Sequence, residues 1–192
     1  ICFPRIGDYG RLGNAMFQYS ALLGIANKNN YDVYYDQEKN GSDCTLHESF
    51  KLEKYENVPH WKQVNSIKRI WKEPHFHFCE DAFNVKDDTG LNGYFQSEKY
   101  FSHIEDDIRS EFNFPQEIIN ECRIQIQTIK NQSEDKSIIS LHVRLGDYKN
   151  LENHYVPLIK TKYYQDAIEY LKEKLGDCSF IIFSDEIEIC KQ

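Results

Sequence analysis

The chain has 192 residues, with 31 acidic against 23 basic side chains and a net charge of −8. Hydrophobic residues make up 40% and aromatics 14%, which excludes a disordered or fibrous chain and supplies a core for one large domain or two small ones. The acid excess argues against general nucleic-acid binding, because phosphate contact needs a basic face, and no run approaches the ~18 consecutive apolar residues of a membrane helix.

Residues 1–6 (ICFPRI) are short, apolar and strand-like, and Gly7, Gly10 and Gly13 punctuate a loop after them. Residues 14–28 read as a helix, with Met16, Phe17 and Leu23 as its apolar face. Residues 31–36 (YDVYYD) form a second short strand. Strand, glycine turn, helix and strand in this order open an α/β fold. Residues 37–92 mix polar, aromatic and proline-broken pieces and predict irregular structure with short strands. Residues 92–96 (NGYFQ) predict a strand, 104–112 a short helix, and 115–129 a longer helix with Ile118, Ile119, Cys122, Ile126 and Ile129 at helical spacing. The polar stretch 131–136 reads as a linker, giving domains at 1–130 and 137–192. A second α/β unit follows: strand 137–143, a turn from Arg144, an amphipathic helix 162–175 capped by Gly176, and strand 179–183. Strand, helix and strand at this spacing predict a parallel pair.

Six cysteines lie at 2, 44, 79, 122, 178 and 190 without a Cys-x-x-Cys, so free thiols are expected and a zinc site is not. His75 and His77 lack an evident third ligand and read as a satisfied surface pair.

Ligands of open parallel sheets bind beyond the carboxyl ends of the strands. Three polar clusters occupy such ends: Gly10–Asn14, His142–Tyr148 and Ser184–Glu186. Period-two alternation puts His142 and Arg144 on one side of their strand. An arginine at a buried strand tip suits an anion, since its planar fork matches phosphate oxygens. An Arg144–Asp147 pair that ties the turn reads equally well. Asp185 suits a nucleoside hydroxyl or base edge, but taken alone the residue types favour Ser184 or Asp185 as the cap of a helix starting near Glu186. The glycines at 7, 10 and 13, with Asp36, loosely match a dinucleotide fingerprint, but in the order G-x-x-G-x-x-G.

Taken together, GRLGNAMFQYSALLGIA (10–26), GYFQSEKYF (93–101), HVRLGDY (142–148), YYQDAIEYL (163–171) and FIIFSDEIEICK (180–191) resemble the α-1,2-fucosyltransferases of glycosyltransferase family 11, in that family's order. The resemblance implies a GT-B-like α/β fold: two facing Rossmann-like domains with parallel sheets, the first on the acceptor side, the second binding GDP-fucose. It implies inverting, metal-independent fucose transfer to a terminal sugar hydroxyl, with O-2 of a galactoside expected. No cofactor is implied beyond the donor substrate. By motif, Arg144 would hold the β-phosphate as the catalytic group. His142, Asp147, Ser184 and Asp185 would line the donor site, and Arg11, Gly13 and Asn14 would approach the pyrophosphate or fucose.

Two departures stand out. Leu145 replaces the second of two consecutive arginines, and Ala15 replaces a common glutamine. The single arginine and the Gly-Arg-x-Gly-Asn loop also resemble protein O-fucosyltransferases. Both termini read as interrupted, so the second domain is expected to be incomplete. The partners implied are GDP-fucose and an oligosaccharide acceptor, without nucleic acid. Bacterial-type likeness implies a cytoplasmic protein; a Golgi protein with a removed membrane anchor is the alternative. An NAD-type Rossmann oxidoreductase and a non-catalytic nucleotide- or sugar-binding remnant are the rival readings.

Overall fold

The computed structural model describes residues 1–4, 6–8, 10–35, 46–52, 54, 67–134, 136–146, 156 and 158–191. Asp36, Asp147, Tyr148 and most of 37–66 lie outside the described residues. The chain divides into two compact units, Ile1–Ile119 and Asn120–Gln192.

The first unit holds strands β1 (Cys2–Phe3), β2 (Tyr34–Tyr35), β3 (Arg69–Lys72) and β4 (Thr89–Asn92) in the order β2-β1-β4-β3, with every neighbouring pair parallel. Helix α1 (Leu12–Asn29) links β1 to β2. It starts two residues earlier than the sequence suggests, and its buried set is wider than the expected stripe. Ala15 and the whole run Gln18–Ala26 are buried, whereas Phe17 stays 36% exposed. The reason is that α1 lies between two apolar clusters. Ala21, Leu22, Ile25 and Ala26 pack with Phe3, Leu91, Phe95 and Tyr100. Ala15, Tyr19 and Leu23 pack with Leu46, Phe50, Leu52 and Ile108. Leu46 opens the short helix α2 (Leu46–Ser49), and Ile108 belongs to α3 (Glu105–Glu111).

The expected strand at 92–96 is displaced. Pairing stops at Asn92, and Gly93–Gln96 is a turn. Gly93 has φ +156° and Phe95 φ +53°, so the chain leaves the extended region here. The Glu73 carboxylate accepts from the Tyr94 and Phe95 amides at 2.8 and 2.9 Å, which removes those donors from any ladder. The partner strand β3 falls inside the stretch read as irregular; its exposed–half-buried pattern carries little apolar signal.

Helix α4 (Gln116–Gln132) runs into the first two residues of the expected linker and across the boundary between the units. It buries none of its side chains, and Ile118, Ile124 and Ile126 are exposed. The second unit pairs β5 (Ser137–Val143) and β6 (Cys178–Ser184) in parallel along their whole length, from Ser137↔Cys178 to Val143↔Ser184. Helix α5 (Tyr163–Leu175) connects them, with Tyr164, Ala167, Ile168 and Leu171 half-buried. Gly176 closes it with φ +79°, and its amide bonds the Lys172 carbonyl at 2.9 Å. A Lys136–Asp177 ion pair of 2.9 Å joins the starts of the two strands. A last short helix, α6, spans Ile187–Cys190. Cys2, Cys79, Cys122, Cys178 and Cys190 are free thiols, and Cys44 lies outside the described residues.

Candidate functional site

The carboxyl ends of β5 and β6 bring together two of the clusters singled out in the sequence. Asp185 follows directly on β6, level with the turn that leaves β5. Its Oδ1 accepts from the Leu145 amide at 2.8 Å and its Oδ2 from the Gly146 amide at 3.1 Å. These bonds favour the ionised carboxylate. The Leu145 amide acts most strongly, with the nearby Arg144 charge adding a smaller pull, and together they hold the Asp185 pKa below the usual aspartate value. A β-carbon at Gly146 would sit 2.6 Å from Asp185 Oδ2, so any side chain there would have to push the Asp185 carboxylate aside. Ser184 Oγ accepts from the Glu186 amide at 3.0 Å, which starts the turn into α6. The helix cap expected there does not form: α6 begins at Ile187 with Glu186 at its N-cap and no side-chain cap, Ser184 closes only the local turn, and Asp185 reaches across to the neighbouring strand end.

Along β5 the alternation is as expected: Val143 is buried and His142 exposed. Beyond it, Arg144 is half-buried and Leu145 is 7% exposed. Leu145 thus turns inward, and its backbone amide serves the clamp. The Tyr164 hydroxyl donates to the His142 carbonyl at 3.2 Å, tying α5 to the strand tip. Asp147 lies outside the described residues.

In the first unit, β1 and β4 are adjacent, while their sequence neighbours β2 and β3 lie on opposite flanks. That makes the β1/β4 gap the topological switch point of the sheet. Gln18, fully buried in α1, stitches it together. Its Oε1 accepts from the Gly7 amide at 2.9 Å, and its Nε2 donates to the Gly93 carbonyl at 3.0 Å. Sequence reasoning passed over Gln18; the available signal was a lone amide inside an otherwise buried run. Gly10 and Arg11 lead into α1, whose first residues, Leu12–Asn14, lie one turn before Gln18. Gly10 has φ +94°, and a β-carbon there would lie 1.7 Å from Asn14 Nδ2. Asn14 Oδ1 accepts from Gln96 Nε2 at 2.5 Å. Arg11 occupies the N-cap of α1 without a side-chain cap, and no acidic residue lies in the first turn, which contains Gly13. A helix end of this kind favours an anion.

His75 and His77 are exposed, and His75 Nδ1 meets the His77 carbonyl at 3.0 Å. Among the described residues, no helix is long and apolar enough to cross a membrane.

Comparison with known proteins agrees with the motifs. The profile of glycosyl transferase family 11 matches residues 5–192. An alpha-1,2-colitosyltransferase of Escherichia coli is 28% identical over 206 aligned residues, covering 95% of this chain and 69% of that protein. A galactoside alpha-(1,2)-fucosyltransferase 2 of Pongo pygmaeus is 22% identical, covering 97% of this chain and 54% of its own length. The chain thus spans about half the length of such mammalian relatives. The crystal structure of NodZ alpha-1,6-fucosyltransferase with GDP matches at a TM-score of 0.51 and 14% identity, over 100% of this chain and 73% of that one. That likeness concerns the fold, an α/β glycosyltransferase architecture with parallel sheets. With a family profile that runs over nearly its whole length, the chain belongs to glycosyltransferase family 11.

Proposed function

We propose that this chain carries part or all of a glycosyltransferase that moves fucose from GDP-fucose to a sugar hydroxyl, O-2 of a galactoside being the acceptor position. The observation that carries the reading is the clamp at the tips of β5 and β6. Asp185 fixes the backbone of 145 and 146, and so presents the adjoining Arg144 on a rigid turn. The named relatives supply the chemistry: two transfer a deoxysugar by α-1,2 linkage.

In the proposed reaction the acceptor oxygen forms a bond to the anomeric carbon of fucose. The bond from that carbon to the β-phosphate oxygen breaks, and GDP leaves with the electron pair. Attack from the opposite face inverts the anomeric centre, and the acceptor proton passes to solvent or a base. Negative charge grows on the β-phosphate as its bond breaks. Arg144, as the catalytic residue, stabilises that charge through two parallel N–H donors, and this preorganised contact stands in place of a metal ion. His142 and Ser184 line the donor site, and Asp147 is assigned to it by motif. Asp185 positions the turn, and its carboxylate keeps lone pairs for the guanosine portion. Arg11, Gly13 and Asn14 take a share of donor binding because the α1 N-terminus favours an anion.

The test is GDP-fucose turnover against a panel of β-galactosides, with Arg144→Lys as the control. Lysine keeps the charge and loses the fork, so a rate loss of about 100-fold is expected. Normal transfer by Arg144→Lys overturns the assignment. Competition between GDP and NAD separates this reading from a dinucleotide oxidoreductase: GDP binds and NAD does not. Donor binding without turnover in the presence of every acceptor identifies a non-catalytic remnant.

A further inference from the structure

An open pocket of about 270 Å³ lies beyond the carboxyl ends of β3 and β4 in the first unit. Its wall runs from Lys72 to Phe76 on one side and from Asn92 to Tyr94 on the other. Phe76 is 67% exposed, a large aromatic left in solvent where burial is the usual fate of such a side chain. Its ring stands 5.3 Å from that of Tyr94, inclined by 44°, so the two form a shallow open angle. The surrounding backbone holds this pair in place. Glu73 accepts from the Tyr94 and Phe95 amides, and the Glu73 amide itself bonds the Asn92 carbonyl at 2.9 Å. Phe95 takes a left-handed φ of +53°, unusual for an aromatic residue, and is fully buried. That arrangement turns Phe95 into the core and leaves its neighbour Tyr94 on the pocket wall. The Gly93 carbonyl is bonded to Gln18, so the pocket rim is stitched to the glycine loop at the switch point.

We propose that this pocket is the acceptor subsite and takes one neutral hexopyranose ring. This inference rests on the fucosyl-transfer reading above. A pyranose has one face of axial C–H groups and a rim of hydroxyls. The apolar face fits an aromatic platform, and the hydroxyls fit Asn92 and His75 on the rim. The volume suits one sugar ring. A nucleoside diphosphate is a poor match, because its phosphates need several cations and this pocket wall carries one lysine, Lys72, and one carboxylate, Glu73. The occupant is accordingly the sugar that receives the fucose.

Saturation-transfer NMR on the whole chain, with methyl β-D-galactopyranoside as probe, tests this directly. Calorimetry with GDP runs on the same samples. The sugar signal should be lost in Phe76→Ala and Tyr94→Ala and retained in Tyr94→Phe, because stacking needs the ring and not the hydroxyl. In turnover, Phe76→Ala should raise the acceptor KM about 10-fold and leave the GDP-fucose KM unchanged. Phe76 is solvent-exposed, so its removal spares the core; a thermal melt checks this. Sugar binding undiminished in Phe76→Ala, or no sugar binding by the native chain while GDP binds, overturns the pocket alone. Sugar binding at Phe76 in a chain that ignores GDP keeps the pocket and overturns the donor reading.

Discussion

The Asp185 carboxylate holds Gly146 so closely that a β-carbon at 146 would lie 2.6 Å from its Oδ2. The two residues are 39 apart in sequence and end up on adjacent strand tips because β5 and β6 pair in full register. Asp185→Ala strips two backbone amides of a charged acceptor and frees the Arg144 turn. We expect GDP affinity to fall at least ~10-fold, with little change in melting temperature, because Asp185 is exposed. Gly146→Ala should give an intermediate loss, since the new methyl pushes the carboxylate aside. Calorimetric titration with GDP measures both; unchanged affinity in Asp185→Ala removes the clamp from donor binding. The sign of the pH effect follows from the lowered Asp185 pKa. The clamp is fully present above the ordinary aspartate value, near 4, and is lost as pH falls through the lower folded value.

Leu145 stands where the family resemblance implies a second arginine, yet it is 7% exposed. Its side chain belongs to packing. Leu145→Met conserves volume and should cost under ~1.5 kcal/mol of stability with turnover near the native rate. Arg144→Ala should cost little stability and nearly all turnover. A Leu145→Met enzyme as slow as Arg144→Ala would contradict the idea that one arginine suffices. Urea titration beside the rate assay keeps folding and catalysis apart.

Tyr19 and Glu111 are each 1% exposed, and the tyrosine hydroxyl donates to Glu111 Oε2 at 2.8 Å. The Lys54 amide donates to both carboxylate oxygens at 3.0 and 3.2 Å. This contact fastens α1 to the end of α3. Tyr19→Phe should destabilise by about 1–2 kcal/mol, and Glu111→Ala by about 3 kcal/mol because it strands two donors. The double variant should lose less than the sum, read by chemical denaturation. Strict additivity would mean the bond contributes nothing.

Burial pushes the Cys2 thiol up to about 11 and the Tyr100 hydroxyl up to about 12. Both groups hold their protons more tightly folded than unfolded. Their stabilising contribution is therefore complete below the unfolded values, about 9 and 10, and is lost as pH rises through the folded ones. Melting temperature should fall steeply between about pH 9 and 12. Tyr100→Phe should flatten the upper part of that limb. A limb unchanged in Tyr100→Phe would assign the alkaline transition to other groups. At pH 8 iodoacetamide should label exposed Cys122 in the native protein and leave buried Cys2 unmodified, as mass mapping would show.

Elements with a strong local signal were legible in the sequence. The run SIISLHV is a strand with the expected bounds, and the 3.6-residue period of 163–175 became α5 with one face half-buried. Where local signal is weak, tertiary contacts decided. NGYFQ has strand-forming residues, yet the Glu73 carboxylate captured its amides and bent it away from the sheet. RIWK, with two cations among four residues, became a strand because β4 lay alongside to pair with it.

The candidate site divides in the same way. The amino-acid order alone determined the α/β class, the clusters at the strand ends and the family likeness, because these depend on residue type and spacing along the chain. It could not determine which groups face each other across strands. That Asp185 grips the Leu145 and Gly146 amides, that Gln18 bridges Gly7 and Gly93, and that Phe76 meets Tyr94 at an open pocket are consequences of strand register and helix packing. A hydrogen bond needs its partners within about 3 Å, and only the folded chain brings residues so far apart in sequence to that distance.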